Sequence, residues 1–145
     1  MDHAATRYVA SFFIEVFSDF MRFAIHQNGL SPDEVAIICL VAAESTRELR
    51  KDAFAMRNFS TEESVFPDEA RPSVSVKFIH TSLGMSRETT RRKVAGLVER
   101  GLLKRSRYGV FFPAQQGVDD HTKEVRQFLL RKMEVVNGYL DKMPD

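Results

Sequence analysis

From Thr6 to Gln27 the apolar residues Val9, Phe12, Phe13, Val16, Phe17, Phe20, Phe23 and Ala24 recur at spacings of three and four, the period of an amphipathic helix. Asn28-Gly29 supplies its stop. A second start follows at once. Leu30 precedes Ser31 as N-cap, Pro32 takes the first helical position, Glu34 completes a capping box, and Leu30 and Val35 are spaced as a hydrophobic staple. This helix is expected to run to about Ser45. Its interior, VAIICLVAA, is apolar all round, which predicts a central helix covered on several sides, with Cys39 as a buried structural thiol. Beyond it TRELRKDAFAMRNF has helical potential, and the stretch to Pro72 reads as an acidic loop.

After Pro72, Val74 suits a short strand, and Ser75 is placed to cap a helix Val76 to Leu83 that faces inward through Val76, Ile79 and Leu83. Gly84-Met85-Ser86 forms a tight turn. Ser86 caps the next helix, which puts Thr90, Val94, Leu97 and Val98 on one face and Arg87, Glu88, Arg91 and Arg92 on the other, until Gly101 stops it. LLKRSRYGVFF then predicts two short strands rich in Leu, Val and Phe, with Gly109 in the turn between them. Two short helices, a tight turn and a hairpin make a winged helix-turn-helix. Asp119 or Asp120 starts a last helix to about Met143, with Val125, Phe128, Leu129, Met133, Val136, Leu140 and Met143 close to a heptad seam.

The expected fold is therefore mainly α: a winged helix-turn-helix with a short β-hairpin wing, flanked by long N- and C-terminal helices. At 145 residues one domain is the default reading. Within it, residues 1–29 form the N-terminal helix, 30–112 the winged-helix lobe with a loop insertion near 58–72, and 118–145 the C-terminal helix. Both terminal helices carry more apolar surface than so small a monomer needs. The aromatic stripe suits core, ligand pocket or subunit interface. The reading adopted is part core and part homodimer interface, through Phe12, Phe13, Phe17, Phe20, Phe128, Val136 and Leu140. A pocket for a small-molecule effector, between the N-terminal helix and the lobe, is the lesser alternative.

Charge changes the picture once it is divided along the chain. Residues 1–70 hold 6 Lys and Arg against 12 Asp and Glu. Residues 71–107 hold 10 basic side chains against only Glu88 and Glu99, a net +8 inside a chain whose total is +1. So confined a basic block is the electrostatic footprint expected of a nucleic-acid contact.

Other chemistry has little to stand on. His3, His26, His80 and His121 lie at no zinc or metalloprotease spacing, Cys39 is the sole cysteine, and no Gly-rich phosphate loop or GxSxG elbow occurs. No enzyme activity, cofactor or metal is expected. No apolar run approaches the roughly 18 residues of a membrane span. With no signal-peptide pattern after Asp2 and His3, the expected location is cytoplasmic.

The segment SVKFIHTSLGMSRETTRRKVAGLVERGLLKRSRYGVFF, residues 74–112 in round terms, resembles the winged-helix DNA-binding domain of bacterial transcription regulators of the catabolite-activator and MarR types. Its most specific piece is LGMSRETTRRKV. His80 departs from those families, which commonly have Ala or Gly there. Nothing before the segment reads as the strands of a cyclic-nucleotide domain, so the order of elements is closer to the MarR type, whose terminal helices interlock in a homodimer.

The resemblance implies that Arg87, Glu88 and Arg92 reach base edges, and the outward face adds Arg91. Arginine can bond guanine N7 and O6 together, and a carboxylate can accept from cytosine N4. Ser75, Lys77, Ser86, Thr89 and Lys93 are the expected phosphate contacts. The wing cations Lys104, Arg105 and Arg107 are expected on the backbone or in the minor groove. Plainer roles stand beside these: Ser86 as an N-cap, Glu88 as a favourable charge at a helix start, and the cations as a solvated face. The functional expectation is a sequence-specific regulator that binds double-stranded DNA. The alternative is a winged-helix protein-interaction or replication and assembly module without an operator.

Overall fold

A computed structural model describes residues 3–52, 57, 67–114 and 120–142 of the chain, which divides into two compact units, Met1–Leu30 with Gly117–Asp145, and Ser31–Gln116. Asp119, Met143 and the insertion residues 58–66, to which the sequence assigned roles, lie outside the described residues.

The first unit pairs α1 (His3–Asn28) with α5 (Asp120–Lys142). Three contacts fix the pairing. The Phe12 and Tyr139 rings lie 3.9 Å apart at 52°, Lys132 Nζ donates to Asp19 at 2.8 Å, and Phe23 stacks on Phe128 at 4.9 Å. Positions rise along α1 as they fall along α5, so the helices are antiparallel. Lys132 and Arg22 both bond the Asp19 carboxylate and hold its pKa below the ordinary value. Ala24 and Val136 are buried. Two helices make only one seam, however, and Tyr8, Phe13, Ile14 and Phe17 of α1 stay exposed, as do Leu129, Leu130, Met133 and Leu140 of α5.

The second unit begins with α2 (Pro32–Lys51). Its capping box is complete: Glu34 N–H donates to Ser31 Oγ at 3.3 Å, and Ser31 N–H to Glu34 Oε1 at 2.9 Å. Burial pushes the Glu34 pKa up, but the bonds from Ser31 and the charges of Lys93 and Arg100 outweigh it, and the net direction is down. The helix runs on past Ser45 to Lys51, where the Asp52 N–H satisfies the carbonyls of Glu48 and Leu49. It buries Val35, Ile37, Val41 and Ser45, a stripe rather than a whole circumference. Cys39 is therefore exposed, against the expectation of a buried thiol, because two residues turn a helix through roughly 200° from Ile37. Partial burial around its sulfur still pushes the thiol pKa up.

A 3-10 turn at Asp68–Ala70 precedes α3 (Val76–Leu83) and α4 (Arg87–Glu99). Ser75 and Ser86 cap these helices as expected, accepting from Phe78 N–H at 3.0 Å and Thr89 N–H at 3.2 Å. Gly84 takes the left-handed conformation, φ 66°, that ends α3 and turns the chain. Strands β1 (Lys104–Ser106) and β2 (Gly109–Phe111) form an antiparallel hairpin, and Val74 bridges to Val110 on the far side of β2. The turn falls on Arg107-Tyr108, so Gly109 opens β2 instead of sitting in the turn. β1 is also not apolar: Lys104, Arg105 and Ser106 are all exposed, and the buried Leu103 precedes the strand.

α2 packs on α3, α4 and β2, and α3 packs on α4. The core is Ile37, Val41, Ile79, Val94, Leu97, Leu103 and Val110, each fully buried or nearly so. Its polar members are satisfied. Ser45 Oγ donates to Pro72 O and accepts from Phe112 N–H, and Thr90 Oγ1 donates to Ser86 O. The architecture is mainly helical with one small two-stranded antiparallel hairpin. Among the described residues no helix is long and apolar enough to cross a membrane.

Candidate nucleic-acid interface

The ten-to-two basic block folds entirely within the second unit, and α4 carries four of its ten cations, Arg87, Arg91, Arg92 and Lys93. Thr90, Val94 and Leu97 are buried, so helical geometry turns Glu88, Arg91 and Arg92 away from the core, while Arg87, on the same side as the buried stripe, opens the helix beyond the packed turns; all four are exposed. None of the four is needed by the core. Ser86 spends its hydroxyl on the Thr89 N–H, which satisfies one of the open donors at the start of α4; Thr89 itself is half-buried.

The four outward side chains differ in what already holds them. Arg91 grips Glu88 with two hydrogen bonds, Nε to Oε2 at 3.0 Å and Nη2 to Oε1 at 2.6 Å. The Arg91 bonds hold the Glu88 carboxyl below the ordinary range, and Glu88 in turn raises the Arg91 pKa. Arg87 and Arg92 have no hydrogen-bonding partner among the described residues, and the charge of Arg92 adds to that of Arg91 in favouring the Glu88 carboxylate.

Lys93 points elsewhere. It donates to Ser31 Oγ at 3.2 Å and lies 3.8 Å from Asp33, with its side chain only 22% exposed. Together with Arg100, 4.0 Å from Glu34, it ties α4 to the first turn of α2. Its expected phosphate contact would require leaving these partners. Ser75 and Lys77 open α3 and are both exposed. His80, half-buried, does not prevent α3 from packing on α4, and its carbonyl accepts from Met85 N–H.

On the hairpin Lys104, Arg105 and Arg107 are all exposed. Lys104 Nζ bonds Asp68 Oδ2 at 3.2 Å, whereas Arg105 has no hydrogen-bonding partner among the described residues. Two features of the hairpin were not singled out in the sequence. Tyr108 at the tip is 75% exposed, with the Arg107 guanidinium 5.7 Å from its ring centroid. A Tyr flanked by Arg and Gly between strands was the available signal. Asp68 accepts from Ala114 N–H as well as from Lys104, and Arg71, nearly buried, bonds Phe112 O at 3.1 Å. Asp68 is 36 and 46 residues from its partners, and no local pattern marks it.

The expected interface residues of the first unit divide in two. Phe12 and Phe128 are engaged between α1 and α5, Val136 is buried, and Phe20 is half-buried. Phe13, Phe17 and Leu140 remain open. No group of three or more His, Cys, Asp or Glu able to hold a metal occurs among the described residues. Comparison with protein-family models, with curated protein sequences and with solved structures finds no match to this chain.

Proposed function

We propose that the chain is a winged-helix transcription regulator of MarR-like architecture, a homodimer that binds double-stranded DNA sequence-specifically. α4 enters the major groove, and the hairpin segment 102–112 rests on the backbone or in the minor groove. The observation that carries this reading is the outer face of α4. Two guanidinium groups without hydrogen-bonding partners among the described residues and a held carboxylate are exposed along the first turns of α4, directly after a capped turn, and none of them is part of the core. Such a face can read donor and acceptor patterns in a groove about 12 Å wide.

The homodimer is supported by the open apolar faces of α1 and α5, where Phe13 and Phe17 are 56% and 65% exposed. Large exposed apolar patches mark association surfaces. A two-fold dimer would carry two α4 helices and match an inverted repeat with half-sites about one helical turn apart.

The test is a titration of a random-sequence duplex with the purified protein at about 50 and 200 mM salt. Binding that weakens steeply with salt, through phosphate contacts that release counterions, supports the reading. Absence of duplex binding, with salt-sensitive capture of an acidic polypeptide instead, would favour the protein-interaction module.

A further inference from the structure

Lys93 and Arg100 stand apart from the outer cations of α4. Lys93 follows the buried Thr90 by three residues and precedes the buried Leu97 by four, and Arg100 follows Leu97 by three, so both lie on the flank of the packed stripe. There each meets one half of the α2 capping box. Ser31 Oγ accepts from the Glu34 N–H and also from Lys93 Nζ at 3.2 Å. The Glu34 carboxylate accepts from the Ser31 N–H and lies 4.0 Å from Arg100. Asp33 places a second anion 3.8 Å from the Lys93 ammonium. The two inner partners, Lys93 and Glu34, are only 22% and 20% exposed.

Apolar packing alone leaves the crossing angle of two helices a scatter of roughly 15 to 20°. Two polar seats on α4, about two turns and roughly 10 Å apart along its axis, narrow that freedom. A phosphate brought to Lys93 would also meet Asp33 and Glu34, whose charges oppose it. We propose that Lys93 contacts no phosphate and acts, with Arg100, as a positioning residue: the two cations seat α4 on the capping box of α2 at the angle at which its exposed first turns enter the major groove. This rests on the DNA-binding reading above. Base edges are read only by donors and acceptors held to within about half an ångström, whereas phosphates attract a cation over a longer range. A helix that rolls on its support therefore loses preference between sequences before it loses attraction for the duplex. Ser31, Asp33 and Glu34 then serve specificity without touching DNA, and two anions assist a protein that binds a polyanion.

The experiment compares full-length wild type with Lys93→Gln, Asp33→Asn, the Lys93→Gln/Asp33→Asn double variant and Arg100→Gln. Affinity is measured for the duplex that wild type selects from a random pool and for a scrambled duplex, each at about 50 and 200 mM salt. Thermal melts confirm that each variant is folded at the assay temperature. Lys93→Gln is expected to lower the ratio of selected to scrambled affinity by roughly fivefold, with its salt slope on the scrambled duplex close to that of wild type. Asp33→Asn should lower the same ratio, although it removes a negative charge, and Arg100→Gln should do so from the second seat. The double variant should be no less selective than Lys93→Gln, because the two residues act through one contact. A salt slope reduced by about one in Lys93→Gln, or tighter binding of every duplex by Asp33→Asn, would assign Lys93 to a phosphate and overturn the proposal with DNA binding intact. Unchanged selectivity in Lys93→Gln and Asp33→Asn would overturn it as well. Failure of wild type to select any duplex would overturn both this proposal and the reading beneath it.

Discussion

Gly109 and Val74 approach so closely that a Cβ on Gly109 would lie 2.1 Å from the Val74 carbonyl oxygen. The contact belongs to the bridge between Val74 and Val110, whose two backbone bonds, 2.7 and 2.9 Å, fasten the hairpin to the segment entering α3. Gly109 also has φ 148°, which side-chain-bearing residues rarely adopt. Gly109→Ala is therefore expected to destabilise the Ser31–Gln116 unit by about 2 kcal/mol or more. The control is Gly96→Ala in α4, where nothing lies within 4 Å of the added Cβ, which should stabilise by up to about 1 kcal/mol. Urea unfolding of the two variants checks the pair; equal effects would contradict the close approach.

Asp68 supplies a pH dependence whose sign follows from its surroundings. Burial pushes its pKa up, but the bond from the Ala114 N–H, the bond from Lys104, and the charges of Lys104 and Arg71 outweigh it, so the folded-state value lies below the ordinary 3.8. A depressed carboxylate stabilises the fold above its unfolded-state pKa, and that contribution is lost as pH falls through the folded value. Stability should therefore drop as pH is lowered below about 4, and Asp68→Asn should flatten this part of the profile. At neutral pH, Asp68→Ala should cost about 1 to 2 kcal/mol, because the Ala114 N–H loses its acceptor and Lys104 its partner. Chemical denaturation across pH 2 to 7, roughly the carboxylate range, measures both.

The first unit makes a separate prediction. Phe17 is 65% exposed and Leu140 39% exposed, so Phe17→Glu and Leu140→Glu should leave helix content unchanged and yield monomers in sedimentation experiments. Val136 is 4% exposed, and Val136→Glu should instead unfold the α1–α5 pair, because it buries an unpaired charge. Dimers that survive both exposed substitutions would take these faces out of the interface.

What was legible in the sequence was what depends on near neighbours. The capping box at Ser31, the caps at Ser75 and Ser86 and the left-handed Gly84 each rest on residues within four positions, and each stands where the spacing placed it. The outward placement of Glu88, Arg91 and Arg92 follows from the buried positions Thr90, Val94 and Leu97 in the same way, whereas Arg87 is exposed because it opens the helix. Long-range contacts overruled local rules elsewhere. Gly109 suits a turn by its type, but the approach of Val74 moves it into β2. Cys39 looks buried by its apolar neighbours, but packing on α2 follows one stripe. Lys93 reads as one more surface cation, yet its partner Ser31 is 62 residues away.

Within the basic unit, Arg92 and Arg107 should separate by role. Arg92→Ala removes an exposed guanidinium from α4, and it should weaken the selected site by roughly 1 to 3 kcal/mol and relax one base position. Arg107→Ala should weaken all duplexes alike and reduce the salt slope by about one. Competition binding with selected and scrambled duplexes distinguishes them. Equal loss on every sequence for both variants would remove the division between α4 and the hairpin.

The central claim is that the outer face of α4 reads duplex DNA, and selection from a random duplex pool tests it most directly. Wild-type protein is incubated with the pool at moderate salt beside the Arg87→Ala/Arg92→Ala variant, and the retained duplexes are sequenced. The account predicts an enriched inverted repeat for wild type, with half-sites about one helical turn apart, that is lost in the variant. Retained pools with no enriched sequence for either protein would contradict it.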